Sequence, residues 1–213
     1  MVTTIPECET PEQSRLRQTV DEAKALSTYP DITWDECRWD ITRFGKPLPH
    51  EKRSLNLYFA PHSPAGPKKS SRKNISYEQP FADFAKAIIR TRASERGLTF
   101  NGHTHVMIAL RYLYDALRQT GSADPTHITR KVFATAMISA RAKATGWTVY
   151  HVGKALQEVS EWMDERELTC AEINFINPIP NLGKGDGLDA TSQARGLLKM
   201  PSSAALEALS RDL

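Results

Sequence analysis

Apolar residues recur every three or four positions in four stretches of the chain, which is the spacing of amphipathic α-helices. The stripes cover residues 81–96, 106–117, 128–140 and 149–163. A turn at Gly121 and Ser122 separates the second from the third, which begins at Asp124-Pro125 or with Thr129 as its N-cap. Four such stripes joined by short turns predict a compact helical bundle.

The first 60 residues follow a different pattern. A short amphipathic helix is expected from Ser14 to Leu26, and alternation over 32–44 and 55–59 predicts two or three short strands. Residues 61–78 are rich in Pro, Ser, Gly and Lys and predict an exposed basic linker or arm. The expected fold is therefore mainly α-helical, with a small α+β N-terminal unit.

Charge is distributed unevenly, although the net charge of the 213 residues is only +3. From Pro125 to Gln157 there are five basic side chains and no Asp or Glu. A solvent-exposed helix face normally mixes both signs, so a stretch with one sign indicates a surface that binds a polyanion, most simply duplex DNA. An ordinary solvated helix face is the competing interpretation.

The junction between the third and fourth helices is the first choice for this DNA-binding surface. Basic residues end one helix, and the free amide groups at the start of the next favour a phosphate. The candidate phosphate-binding residues of the helices are Arg130, Lys131, Arg141, Lys143, Thr145, Thr148, Tyr150, His151 and Lys154. Those of the arm are Lys68, Lys69, Arg72 and Lys73, which are expected to wrap the duplex.

Four runs of residues resemble the N-terminal half of the long tyrosine recombinases, the phage integrase family. They are PFADFAKAIIR at 80–90, ALRYLYDAL at 109–117, INFINP at 173–178 and KMPSSAALEAL at 199–209. The resemblance covers roughly residues 79–213. It implies a four-helix, SAM-like core-binding domain over 79–170 that clamps one side of a recombination site, followed by a hinge and first helix over 171–213. It also implies other recombinase subunits as partners and a role in DNA integration or recombination.

The chain departs from that family where the catalytic domain would begin, because no Arg box, His-x-x-Arg box and Tyr nucleophile occur at the required intervals. Arg92, His127, Arg130 and Tyr150 imitate these boxes, but no domain can fold between them. We therefore expect no catalytic residues in this chain, and no DNA cleavage by it alone.

Other motifs are weaker. Cys8, Cys37 and Cys170 are odd in number and widely separated, so neither a disulfide framework nor a zinc site is predicted, and a reducing cytoplasm fits best. His103 and His105 are two apart and would point to different sides of a helix. The glycines of 183–187 indicate a hinge, not a phosphate loop. The four tryptophans have spacings that favour core positions over base stacking.

No cofactor, metal, membrane segment or small-molecule substrate is indicated. Two alternatives stay open. The chain could be a free-standing helical DNA-binding regulator, or an adaptor whose basic surface binds an acidic protein partner.

Overall fold

The computed structural model describes residues 9–44, 55–61, 76–96 and 100–179. Their elements are α1 (Pro11–Ala25), β1 (Arg38–Asp40), β2 (Asn56–Tyr58), α2 (Phe81–Arg96), α3 (Phe100–Gln119), α4 (Arg130–Lys143) and α5 (Gly146–Glu165), with 3₁₀ turns at Thr42–Phe44 and Pro125–His127. The prediction of a mainly helical chain with a small strand-bearing N-terminal unit is confirmed. The predicted basic arm at 68–73, the predicted hinge at 183–187 and the first helix predicted within 171–213, near Pro201, lie outside the described residues.

Helix α1 begins three residues before the predicted start because Thr10 and Gln13 form a capping box. The Gln13 amide donates to Thr10 Oγ1, and the Thr10 amide donates to Gln13 Oε1. Pro11 follows the cap, where the loss of an N–H has no cost. The helix buries Leu16 and Val20 against α2.

The two strands pair antiparallel, with Trp39 opposite Leu57. Both side chains are buried and belong to the same hydrophobic core as the helices. Trp39 meets Phe59 with ring centroids 4.8 Å apart and Tyr29 at 6.0 Å, in edge-to-face geometry. The sheet is therefore joined to the helices by an aromatic cluster.

Two buried cations of α2 hold the segment that precedes the sheet. Lys86 Nζ donates to the carbonyl of Trp34 at 2.6 Å, and Arg90 donates to the carbonyls of Lys24, Tyr29 and Ile32. Burial lowers the pKa of both cations, but their donors are used by backbone oxygens. The N-terminal unit is thus fixed to α2 by directional bonds as well as by apolar contact.

All four helices predicted after Pro80 are present. Helix α3 packs against both α4 and α5, and α1 packs against α2. A glycine at 121 with φ +85° allows the turn after α3. Thr129 is the N-cap of α4, whereas Asp124 caps the separate 3₁₀ turn. None of the described helices is long and apolar enough to cross a membrane.

Residues 171–179, which we call the C-terminal strap, run back along α5 without helix or strand structure. Asp164 accepts hydrogen bonds from the Ile173 and Asn174 amides, and Ser160 accepts one from the Phe175 amide. Farther along, the Asn177 side chain donates to the carbonyl of Tyr150 at 3.3 Å. The strap therefore brings the chain back to the N-terminal part of α5.

Candidate nucleic-acid interface

The α4–α5 junction gathers most of the predicted site residues. Arg141 and Lys143 lie in the last turn of α4, and Thr145 is the N-cap of α5. Residues 148, 150, 151 and 154 follow within the first three turns of α5. By contrast, Arg130 lies at the start of α4, about 16 Å along the helix axis from Arg141. Arg130 and Lys131 therefore flank the junction, and the basic residues of 68–73 lie outside the described residues.

The cations of this surface differ from those elsewhere in the described part of the chain. Ion pairs with carboxylates are formed by Arg15, Arg17, Lys24, Arg38, Arg43, Arg92, Arg96, Arg118 and Arg166. Lys86, Arg90 and Arg111 donate to backbone carbonyls.

Five cations, which we call the free cations, have no such partner among the described residues. They are Arg130, Lys131, Arg141, Lys143 and Lys154. Arg130 and Arg141 are partly exposed, and the three lysines are exposed. These five are also the whole basic content of the acid-free stretch. The basic residues that the sequence groups together are therefore the ones that the structure leaves without partners among the described residues.

Some hydrogen-bond donors of the junction also lack acceptors among the described residues. Nη1 of Arg141 is buried and has no acceptor among the described residues. The side chain of Thr145 does not cap α5 but lies 3.1 Å from the hydroxyl of Thr148. The first amides of a 20-residue helix are therefore left without a side-chain acceptor, next to two cations. This combination suits an oxyanion.

Lys154 has no ion pair among the described residues because Glu158, the acidic residue on the same helix face, pairs with α2 instead. Glu158 lies one turn after Lys154, at the spacing of an intrahelical pair. Glu158 instead contacts Arg92 of α2, with Arg96 3.7 Å from its other oxygen. The negative charge of Glu158 is therefore already neutralised by α2.

Four aromatic rings cover the surface next to Lys154. His105 of α3 stacks on His151 at 4.3 Å with an interplanar angle of 4°. Trp147 and Tyr150 meet His151 edge-on, at 4.3 Å and 5.2 Å. Burial and the neighbouring His151 lower the pKa of His105, and burial and Lys154 lower that of His151. The stack is therefore uncharged at neutral pH.

Trp147 corrects one expectation from the sequence. Trp34, Trp39 and Trp162 lie in or against the core as expected, but Trp147 is 45% exposed. It occupies the first turn of α5, where it contacts His151 one turn further along the helix, and almost half of its surface stays open to solvent. Its place directly after the Thr145-Gly146 cap was the sequence signal that could have indicated this.

A groove of about 280 Å³ lies beside the aromatic stack, between the start of α3 and α5. Trp147, His151 and Lys154 line one side, and His105 lines the other. Arg92 and Glu158 also line it, so it contains a hydrogen-bond donor and an acceptor. Sequence reasoning did not predict this groove, because its residues come from three helices.

Two of the residues that imitate recombinase boxes, Arg92 and His127, have separate partners. Arg92 is paired with Glu158, and the His127 ring lies 2.9 Å from the Ser122 hydroxyl in the 3₁₀ turn before α4. His103 is buried and lies 3.3 Å from the Tyr29 hydroxyl. His103 and His105 thus face different sides of α3, as expected.

Within the described ranges, no group of three or more His, Cys, Asp or Glu side chains could hold a metal ion. The arrangement that remains is a basic helix junction bordered by an exposed aromatic ring and a groove. The chain matches no protein-family model, no curated protein and no solved structure.

Proposed function

We propose that this protein binds double-stranded DNA through the α4–α5 junction. The observation that carries the proposal is the set of five free cations in a chain whose other described cations all have protein acceptors. An unneutralised cation attracts phosphate and displaces its counterions, which gives affinity that does not depend on base sequence.

The polarity of α5 supports one orientation of the duplex. Its first half carries Lys154 and no acid, whereas its second half carries Glu158, Glu161, Asp164 and Glu165. Phosphates are repelled by the second half and attracted by the first. We therefore place the duplex across the junction, with a phosphate near the amides at the start of α5 and the partly exposed side chain of Arg141.

Arg130 and Lys131 extend this surface along α4. Arg130 and Arg141 lie about 16 Å apart along α4, which is too far for both to contact one phosphate. Arg130 and Arg141 therefore contact different phosphates of the duplex. Such contacts fix the register of the protein on DNA without reading bases. The residues of 68–73 would add further phosphate contacts.

A wider proposal rests on the sequence resemblance. In it, the chain is the N-terminal part of a cytoplasmic site-specific tyrosine recombinase, and α2–α5 are its SAM-like core-binding bundle. Its role is then to clamp the recombination site while strand exchange is catalysed elsewhere. The helical content and the free cations are compatible with this role, and they equally support a free-standing DNA-binding regulator.

The test is fluorescence anisotropy with a labelled duplex over a salt series. Five phosphate contacts by the free cations predict a slope of log affinity against log salt of about −4.5, and contacts by the residues of 68–73 would make it steeper. The variant Arg141→Gln/Lys143→Gln should reduce the magnitude of that slope by about 2. Arg17→Gln/Lys24→Gln removes two exposed cations of α1 that are already paired, and should leave the slope nearly unchanged.

Equal effects of the two double variants would place the DNA contacts elsewhere. Absence of wild-type binding at low salt would refute DNA binding by this chain and favour the adaptor, whose acidic protein partner would need the same free cations. Far-UV circular dichroism of each variant shows whether the helices are retained.

A further inference from the structure

We infer that Trp147 and the groove beside it bind an unpaired nucleobase, so that the protein prefers DNA with a base displaced from the helix over a fully paired duplex. This inference rests on the proposed DNA-binding function and assigns it a substrate preference. Three observations carry it.

The first observation is the state of Trp147 itself. It is one of two large hydrophobic side chains that are exposed among the described residues, and the other, Ile176, lies on the strap. One part of the Trp147 ring contacts His151, which is fixed in turn by its stack on His105. The ring is thus held in place while much of its surface stays open. A fixed aromatic ring loses little conformational entropy when a base stacks on it.

The second observation is the charge around the ring. Lys143 precedes Trp147 by four residues and Lys154 follows it by seven, and neither has an acidic partner among the described residues. A base cannot approach without its phosphates, and Lys154 lines the same groove as Trp147, while Lys143 lies in the last turn of α4, four residues before the ring in the sequence. Aromatic rings placed among such cations are the usual means by which proteins hold unpaired bases.

The third observation is the groove. The groove has a volume of about 280 Å³. Small-molecule pockets begin at about 300 Å³, so this groove suits a single planar ring. His105 and His151 supply uncharged ring surface, because burial lowers the pKa of both. Arg92 can donate to a base and Glu158 can accept from one. An intact duplex presents no base that could enter.

The probe pair is two labelled duplexes of equal length and sequence, one of which carries a single extrahelical adenine. Wild-type protein should bind the bulged duplex about tenfold more tightly, because stacking of one base on an aromatic ring contributes a factor of about 5 to 150. Trp147→Ala should bind both duplexes equally, with an unchanged salt slope, since the ring carries no charge. Trp147→Phe should retain part of the preference.

Tyr58→Ala is the matched control. It removes a partly exposed aromatic ring of β2, which is remote in sequence from the junction, and should leave the preference intact. Tryptophan fluorescence gives an independent readout, because the bulged duplex should quench wild-type emission but not that of Trp147→Phe. Equal wild-type affinity for the two duplexes over the salt series would overturn the inference but leave DNA binding standing. Absence of binding to either duplex would overturn the proposed function as well.

Discussion

Gly153 provides a sharp test of how the C-terminal strap is held. It lies in the interior of α5, and the three heavy atoms nearest to an added methyl group all belong to the Asn177 side-chain amide. That amide makes two bonds: Nδ2 donates to the Tyr150 carbonyl at 3.3 Å, and Oδ1 accepts from the Ile179 amide at 3.1 Å. Gly153→Ala must therefore displace the Asn177 amide and break both bonds.

Two opposing terms decide the effect on stability. Replacing glycine by alanine in a helix interior stabilises by about 1 kcal/mol. Each lost hydrogen bond costs about 1 kcal/mol, so displacing Asn177 costs about 2 kcal/mol. Gly153→Ala should thus lower the free energy of unfolding by about 1 kcal/mol. In the Asn177→Ala background no amide is displaced, and the same change should raise the free energy of unfolding by about 1 kcal/mol.

Urea denaturation of the wild type, both single variants and the double variant measures the four free energies of this cycle. The expected coupling energy between positions 153 and 177 is about 2 kcal/mol. If Gly153→Ala stabilises the protein equally in both backgrounds, the two side chains do not meet and the described path of the strap is wrong.

Three further predictions concern other parts of the fold. Glu167 has φ 49°, in the left-handed region after α5, so Glu167→Gly should stabilise by about 1 kcal/mol in urea denaturation, whereas Glu167→Ala should not. Arg90→Ala leaves three carbonyls without their charged donor and should destabilise by about 3 kcal/mol or more, and Arg90→Lys should recover only part of this, as measured by the same method. The pKa values of His105 and His151 are lowered in the folded protein, so both histidines bind protons at a higher pH in the unfolded chain than in the folded one. The free energy of unfolding should therefore fall as the pH drops through about 6.5 towards the lower pKa values of the folded protein. Thermal melts between pH 8 and 5 would show this loss, and a His105→Gln/His151→Gln variant should lose much of the slope; an unchanged slope would contradict it.

The sequence predicted what depends on local pattern. The apolar spacing located α2, α4 and α5, and the alternation around Trp39 and Leu57 located the sheet. Helix α3 begins at Phe100, six residues before the first apolar marker of its stripe, because its first turns carry Asn, Gly, His and Thr. The stripe begins only where α3 starts to contribute to the core.

Features that depend on distant partners could not be predicted. The burial of Lys86 and Arg90 is one example, because the backbone carbonyls that accept their hydrogen bonds lie more than 50 residues away in the sequence. The single-sign stretch identified five basic residues that the proposal assigns to phosphate contacts. Only the structure shows that these cations have no acidic partner among the described residues, and that Trp147 is exposed and lines a groove with Lys154.

The ion pair between Glu158 and Arg92 also affects the charge of the α4–α5 junction. Glu158 can neutralise either Arg92 of α2 or Lys154 on its own helix, and the fold gives it to α2. A change in α2 that weakens Arg92 would return this carboxylate to Lys154 and withdraw one positive charge from the junction. Under the proposed function, residues that touch no phosphate can thus adjust the strength of phosphate binding, and sequence variation in α2 is a route for tuning affinity while the contact surface stays constant.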